Sequence, residues 1–452
     1  MKRRKSELRD DARQALADAV NNRLGAERKE RRSLPVIDQR LAAMTDFNTL
    51  PGMQEIGVQR AFGAVVGISN PFFRLHETRA GATTIIEGRT YDNYSSYDYL
   101  GLNGHPEVQA AAARAIEQYG TSCSASRLVA GERPLHRELE AALAAHYRQE
   151  ACVVFVSGHA TNVSCIGALL GPKDLIVHDS LAHNSIVMGG ALSRAERRFF
   201  PHNDLDALDE LLTPIRHRHE RVLIAVEGLY SMDGDFPNLE RLVEIKRRHA
   251  AWLMVDDAHG LGVLGENGAG IFEHTGVDPR DVDIWMGTLS KTLSGCGGYI
   301  AGPTVLADYL KFAAGGFVFS VGMSPPLAAA AIAALDLMHR EPERVARLHR
   351  NSQHFTDRAR AADLDIGTSA ARAVIPVVTH NSLIAIALGQ KLFDRGINVQ
   401  PIIPPAVPEK SARLRFFLTS EHTEAQIDRT IEAIVEARQE IGDGRSILIA
   451  AN

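Results

Sequence analysis

The chain has 452 residues, 45% of them hydrophobic and 23% charged, and a formal net charge of −5. That length supports a large core and two domains, and a balance so near neutral gives no argument for nucleic-acid binding. No apolar run reaches the roughly 18 residues of a membrane span, and no signal-peptide core opens the sequence, so a cytoplasmic protein without a transmembrane segment is expected.

In chain order, residues 1–33 hold eleven Lys and Arg against six Asp and Glu, so the remainder carries −10. Leu8, Ala12, Leu16, Val20 and Leu24 form an i, i+4 row that predicts a helix over Ser6–Glu30, within a basic arm spanning 1–45. Such an arm suits either an acidic partner, a membrane surface or packing on a second copy. Residues 46–90 read as an irregular arm with a hairpin at "GATTIIEGRTYDNYS" leading into a main sheet.

Over 91–330, the apolar runs "ACVVFVS", "DLIVHD", "RVLIAVEG", "AWLMVDDAH", "VDIWMG" and "GGYIAG" alternate with amphipathic segments such as "HPEVQAAAARAIEQYG" and "PNLERLVEIKRRHA". Short buried strands between helices predict an α/β fold with a mostly parallel central sheet flanked by helices. Past "FSVGMSPP", a long helical stretch precedes strands near "AVIPVVTH", "INVQPII" and "ARLRFFLT" and a final helix. Residues 331–452 therefore read as a smaller C-terminal α+β domain. Cys123, Cys152, Cys165 and Cys296 show neither paired spacing nor metal-ligand neighbours, so no metal or disulfide is expected.

Ligands in such sheets sit at the carboxyl ends of strands, which directs attention to the residue after each apolar run. "AWLMVDDAHG" ends with Asp256 and His259. A buried carboxylate there calls for a facing cation, such as a pyridinium nitrogen, or is a helix cap. "VFVSGHATN" sets Ser157, Gly158 and His159 between a strand and a helix, where backbone N–H groups can cradle a phosphate. His183 follows "DLIVHD", and Glu227, Tyr230, Ser231 and Asp233 follow "RVLIAV".

"GTLSKTLSG" carries Lys291 among small hydroxylated residues, with the nearest charges along the chain at Asp283 and Asp308. A nucleotide phosphate loop needs Gly before the Lys, and Ser290 stands there instead. A solvated lysine would have polar, charged neighbours. An amine shielded in this way loses basicity and becomes a nucleophile toward an aldehyde, with Thr288 and Ser290 offering hydroxyls to a phosphate. An imine-forming lysine, a carboxylate for a ring nitrogen, a phosphate cup and a stacking His together match what pyridoxal 5'-phosphate (PLP) requires.

The motifs "YDYLGL", "SASRLVAGERPLHRELE", "SGHATN", "HNS", "EGLYSMDGD", "VDDAHGLGVLGENGAG", "GTLSKT" and "ARLRFFLT" resemble, in order, those of the α-oxoamine synthases, fold-type I PLP enzymes. The resemblance runs from Tyr91 to Ile441. It implies that Lys291 bonds the cofactor aldehyde, Asp256 partners the ring nitrogen, His259 donates to the phenolic oxygen and His183 stacks on the ring. It further implies a phosphate side built from Gly158, His159, Thr288 and Ser290, a cofactor-site Ser231, and Arg415 on the amino-acid carboxylate. Homodimers of the family share sites, and Ser320 would be the hydroxyl lent to the neighbouring subunit's phosphate.

Tyr97 stands where many relatives carry the Asn of Asn-Asp-Tyr, a substrate-touching position, and Ala406 stands where some carry Thr. With "EGLYSM" and Ser290, Tyr97 favours serine palmitoyltransferase-like chemistry: decarboxylative condensation of an amino acid, serine first, then glycine or alanine, with an acyl thioester. Sphingolipid biosynthesis is the corresponding setting. The acyl donor would be acyl-CoA or an acyl carrier protein, the latter suiting the basic arm. Alternatives are a polyketide- or prodiginine-pathway member, an 8-amino-7-oxononanoate synthase, an aminotransferase and a non-catalytic subunit.

Overall fold

The computed structural model describes residues 70–442, together with residues 41, 44–53 and 56–57. The expected helix over Ser6–Glu30 lies outside the described residues. The chain divides into two units, residues 1–70 and 71–450. In the first, Asp46 caps a 3-10 turn at Phe47–Thr49 by accepting from the Asn48 N–H.

The second unit begins with the hairpin β1 (Thr83–Ile86) and β2 (Arg89–Asn93). Its two-residue turn, Glu87-Gly88, has φ of 51° and 71°, the mirror-image turn that matches strand twist. Helices α1 (Pro106–Tyr119) and α2 (Pro134–His146) follow, each with proline in its first turn, where its missing N–H costs nothing. Strands and helices then alternate: β3 (Ala151–Phe155), α3 (Gly158–Leu169), β4 (Leu175–Asp179), α4 (Asn184–Ser193), β5 (Glu196–Phe200), α5 (Leu205–Ile215), β6 (Val222–Glu227), α6 (Leu239–Arg248), β7 (Trp252–Asp256), a short α7 (Ile271–Thr275), β8 (Ile284–Thr288) and β9 (Gly298–Gly302).

These strands form one sheet in the order β3-β9-β8-β7-β6-β4-β5, parallel except for β9. Alternate residues such as Leu223 and Ala225, Met254, Ile284 and Met286 pack on one face with Ile166 and Ile186 from the helices. Trp285 on the opposite face stacks on Tyr147 at 4.9 Å. Strand β5, absent from the expected series, reads "ERRFF" and is exposed except at Phe200. An edge strand with one dry residue lacks the apolar signature of its neighbours.

The helical stretch after "FSVGMSPP" is broken into α10 (Pro325–Arg340) and α11 (Glu343–Ala361), preceded by α8 (Thr304–Ala313) and α9 (Gly315–Val318). Pro342 occupies the break, since it cannot continue the hydrogen-bond ladder from α10. A smaller region follows: β10 (Val374–Val378), α12 (Ser382–Asp394), β11 (Ile397–Asn398), β12 (Gln400–Ile402), β13 (Arg413–Phe417) and α13 (Glu424–Ile441). Strand β13 lies between β10 and β12, while β11 pairs in parallel with β2. The hairpin thus pairs with the C-terminal region, and the main sheet follows it along the chain. Thr423 and Gln426 form a reciprocal cap on α13, as the spacing T-x-x-Q dictates.

Candidate active site

The parallel strands place Asp179, Glu227, Asp256 and Thr288 at their carboxyl ends, on one edge of the sheet. Lys291 lies in the connection from β8 to β9, which closes through Leu289 N–H to Gly297 O at 3.0 Å and Gly295 N–H to Leu289 O at 2.7 Å. Thr292 fastens the turn by donating to Leu261 O at 2.8 Å. Burial lowers the Lys291 pKa to about 8, against the opposing pull of Asp256 and Glu227. Roughly a tenth of its amine is therefore unprotonated at pH 7, far more than for an ordinary lysine, as nucleophilic addition requires.

Asp256 is 4% exposed, and its carboxylate is oriented from two sides. Ala258 N–H donates to Oδ1 at 3.1 Å, and Asn162 Nδ2 donates to Oδ2 at 2.7 Å. Asn162 also donates to Ser185 Oγ at 2.8 Å, and Ser185 Oγ meets His183 Nδ1 at 2.7 Å. A continuous chain of hydrogen bonds thus joins His183 to Asp256. His259 Nδ1 meets the Tyr99 hydroxyl at 2.7 Å. Burial, with the charges of Lys291 and Arg415, depresses the His259 pKa well below its ordinary value, so the ring is neutral. In the tautomer in which Tyr99 donates to Nδ1, Nε2 carries the proton and is a donor for a ligand.

Two carboxylic groups, Glu227 and Asp256, are register partners on adjacent strands. Burial, reinforced by Asp256, raises the Glu227 pKa well above the carboxylate range, so Glu227 keeps its proton. His183 caps α4, and burial lowers its pKa although Asp256 opposes the shift. Its ring lies 6.2 Å from that of His159, whose Nε2 meets Asn184 Oδ1 at 3.3 Å.

At the start of α3, Ser157 caps the helix, and Gly158 packs directly on Thr288. A Cβ at Gly158 would lie 2.8 Å from Thr288 Oγ1, so glycine is what lets strand end and helix start approach. Thr288 Oγ1 donates to Gly297 O at 2.9 Å and lies 3.2 Å from Ser290 Oγ. Free helix N–H groups beside two hydroxyls make a cradle for an anion. A buried amine of lowered basicity, a held carboxylate, a neutral imidazole donor and this cradle form the donor set that fits an aldehyde-bearing, phosphorylated pyridine.

Arg415 on β13 reaches the same edge. Its Nη1 donates to Ser231 O at 2.9 Å and lies 3.1 Å from Met232 Sδ, while its buried Nε has no protein partner among the described residues. Tyr97 stands over Lys291, with Nζ 5.8 Å from the ring centroid, and packs edge-on against Phe417 at 4.8 Å. A cavity of about 360 Å³ opens beside them, lined by Lys291, Tyr97, His76, Asn93, Ser95 and Ser96 among others. Among the described residues, the Ser320 side chain makes no hydrogen bond to this cluster. The residue sits in the turn after α9, its N–H directed to Phe317 O.

Asn162 and Tyr99 were not selected from the sequence, although both lie inside the motifs "SGHATN" and "YDYLGL". Asn162 falls four residues after Gly158, one helical turn along the same face, which is the signal that could have found it.

The family model described as aminotransferase class I and II matches residues 92–434. The chain is 42% identical over 371 residues to an 8-amino-7-oxononanoate synthase of Geotalea daltonii, covering 82% of this chain and 94% of that one. It is also similar to the solved serine palmitoyltransferase of Sphingomonas wittichii, with a TM-score of 0.83 and 30% identity over 88% of this chain and 99% of that one. The serine palmitoyltransferase of S. paucimobilis, solved with PLP bound to myriocin, matches with a TM-score of 0.84 and 28% identity over the same shares, 88% and 99%.

Proposed function

The chain belongs to the class I and II aminotransferase family and, within it, to the PLP-dependent α-oxoamine synthases, acyltransferases of fold type I; from that premise we propose a reaction of the 8-amino-7-oxononanoate synthase type. Cut between C7 and C8, the product in that name yields a seven-carbon acyl group ending in a carboxylate and a 1-aminoethyl group, which is alanine less the carboxylate that leaves as CO₂. The observation that carries this reading is the set of polar side chains in the cavity beside Lys291, among them Ser95, Ser96 and Asn103, which share its lining with apolar surface. A long hydrocarbon gains about 0.8 kcal/mol per buried CH₂ only in apolar surroundings, and here it would strip water from amides and hydroxyls. A short acyl chain with a polar end loses less.

This reading displaces the preference for serine and a long acyl chain drawn from Tyr97, Ser290 and "EGLYSM". The 8-amino-7-oxononanoate synthases that this chain resembles in sequence lend sphingolipid chemistry no support. The serine palmitoyltransferase reading keeps one observation in its favour, the TM-scores of 0.83 and 0.84.

PLP, when bound, supplies an electron sink for the electrons of the broken Cα bond. Asp256, held by Asn162, balances the protonated ring nitrogen, and His259 Nε2–H donates to the phenolic oxygen. The α3 cradle with Thr288 and Ser290 takes the phosphate. Arg415 grips the amino-acid carboxylate with its unpartnered Nε. Lys291 would carry the proton to and from Cα, and His183, joined to Asp256 through Ser185 and Asn162, would stack on the ring and help activate the thioester carbonyl. General acid–base help of this kind contributes about 10²–10⁴-fold.

A homodimer completes the reading. Leu128, Val129, Phe319 and Val321 are exposed apolar residues on two segments tied together by Gly322 N–H to Ala125 O and Ser126 Oγ to Val318 O. A second copy covering this patch would receive Ser320 at its phosphate side.

The test offers alanine, glycine and serine with heptanedioyl and palmitoyl thioesters, on CoA and on acyl carrier protein, and weighs the amino ketones by mass spectrometry. The proposal expects the alanine–heptanedioyl product to dominate. Dominance of the serine–palmitoyl product would transfer the chain to the second reading.

A further inference from the structure

Outside the cofactor cluster, the imidazole of His202 lies between two carboxylates. His202, in the turn after β5, directs Nδ1 at Asp179 Oδ1 at 3.0 Å and Nε2 at Asp235 Oδ2 at 3.0 Å. Asp179 is fully buried at the end of β4. Both ring nitrogens face carboxylate oxygens, so both must donate, which makes His202 an imidazolium; burial alone would lower its pKa, and the two carboxylates raise it to about 10.

Asp235 belongs to the loop after β6. It accepts from Thr368 Oγ1 at 2.6 Å, and its carbonyl takes the Tyr230 N–H at 2.8 Å. The Tyr230 ring stands edge-on to His202 at 4.5 Å. The loop is also anchored where Gly234, at φ 72°, sits against Val374 O, leaving no room for a Cβ. The next residue after Tyr230 is Ser231, whose carbonyl is the acceptor for Arg415 Nη1, and Met232 Sδ is the second contact of that nitrogen. Arg413 holds the same segment through Met232 O at 2.9 Å and Asp233 at 2.6 Å.

We propose that His202 is a positioning residue for amino-acid binding: by pinning Asp235 and Tyr230 it fixes the Ser231 carbonyl, and through it the guanidinium of Arg415. The inference rests on the reading of Arg415 as the carboxylate grip. Nothing in the chain from His202 to Arg415 passes through Asp256, His259 or Lys291. Loss of the imidazolium should therefore loosen the carboxylate site, while on the cofactor side it reaches only Ser231 and leaves Asp256, His259 and Lys291 in place.

The experiment uses the full chain loaded with PLP and follows the cofactor absorbance on titration with alanine and with ethylamine, its counterpart lacking the carboxylate. His202→Ala is expected to weaken alanine at least tenfold and ethylamine less than twofold, with KM for the amino acid rising far more than kcat falls. His202→Gln, whose amide N–H replaces Nε2–H toward Asp235, is expected to restore much of the loss. Equal weakening of both ligands, or unchanged alanine binding, would overturn the proposal. Should His202→Ala fail to fold, Thr368→Val removes the hydroxyl on Asp235 and must give a smaller loss confined to alanine; an unchanged alanine-to-ethylamine ratio overturns the proposal there too. Arg415→Lys in the same assay separates the two claims, because a ratio unmoved by that change removes the premise about Arg415 itself.

Discussion

Asn162 Nδ2 donates to Asp256 Oδ2 at 2.7 Å, between two side chains that are both nearly sealed from solvent. A hydrogen bond to a charged acceptor contributes roughly 1.5–3 kcal/mol, and a buried carboxylate left short of a donor loses that in full. Asn162→Leu is therefore expected to weaken PLP binding by about tenfold or more, since 1.4 kcal/mol is a factor of ten. Absorbance titration of the apoprotein with PLP measures this; unchanged affinity would show that Ala258 N–H suffices alone.

Glu227 predicts a pH effect whose sign is fixed. Its folded pKa is raised by burial and by Asp256, so between its ordinary value and that raised value the native state binds more protons than the unfolded one. Stability then falls as pH rises above about 4.5. Glu227→Gln keeps the acceptor for Ser231 N–H, 3.3 Å away in the parent, and removes the titration. Denaturant melts of the apoproteins at pH 5 and pH 7.5 are expected to show the variant gaining on the parent at the higher pH. A constant difference would mean that Glu227 ionises freely.

Lys291 works in the opposite direction. Its folded pKa is lowered to about 8 by burial, so between pH 8 and its ordinary value of 10.5 the unfolded chain binds the extra proton. Apoprotein stability attributable to Lys291 rises with pH across that window, on the order of 3 kcal/mol if the whole shift were realised. The rate at which the apoprotein takes up PLP should climb with a midpoint near pH 8 for the same reason. A midpoint above pH 10, or a slope unchanged by Lys291→Ala, would contradict this.

The reach of the sequence followed the range of the contacts. Lys291, Asp256 and Glu227 were legible because each stands at or just beyond the end of an apolar strand, where a charge is conspicuous. The sheet was legible for the same reason, except β5, whose two arginines and exposed face conceal it. Arg415 entered through resemblance alone, since its own strand, "RLRFF", gives no hint of which arginine faces the site. His202, Asn162 and Tyr99 act through partners 23 to 160 residues away along the chain, and no local pattern encodes such pairings. The hairpin was recognised without its partner, because β11 is a two-residue strand some 300 residues later.

Val129 and Phe319 are 83% and 90% exposed in the single chain, which is costly for side chains of that size in water. If this patch is the seam of the proposed homodimer, Phe319→Glu is expected to give a monomer by sedimentation and to lower PLP affinity through loss of the neighbour's Ser320. A variant that remains dimeric would place the interface elsewhere.

The central claim is that Lys291 is the amine that bonds the PLP aldehyde. Borohydride treatment of the PLP-loaded protein, followed by proteolysis and peptide mass spectrometry, tests it directly. The account predicts one pyridoxyl-phosphate mass increment, on the peptide containing "GTLSKTLSG" and on Lys291 within it. An increment on another lysine, or none on a protein that retains its visible absorbance, would contradict it.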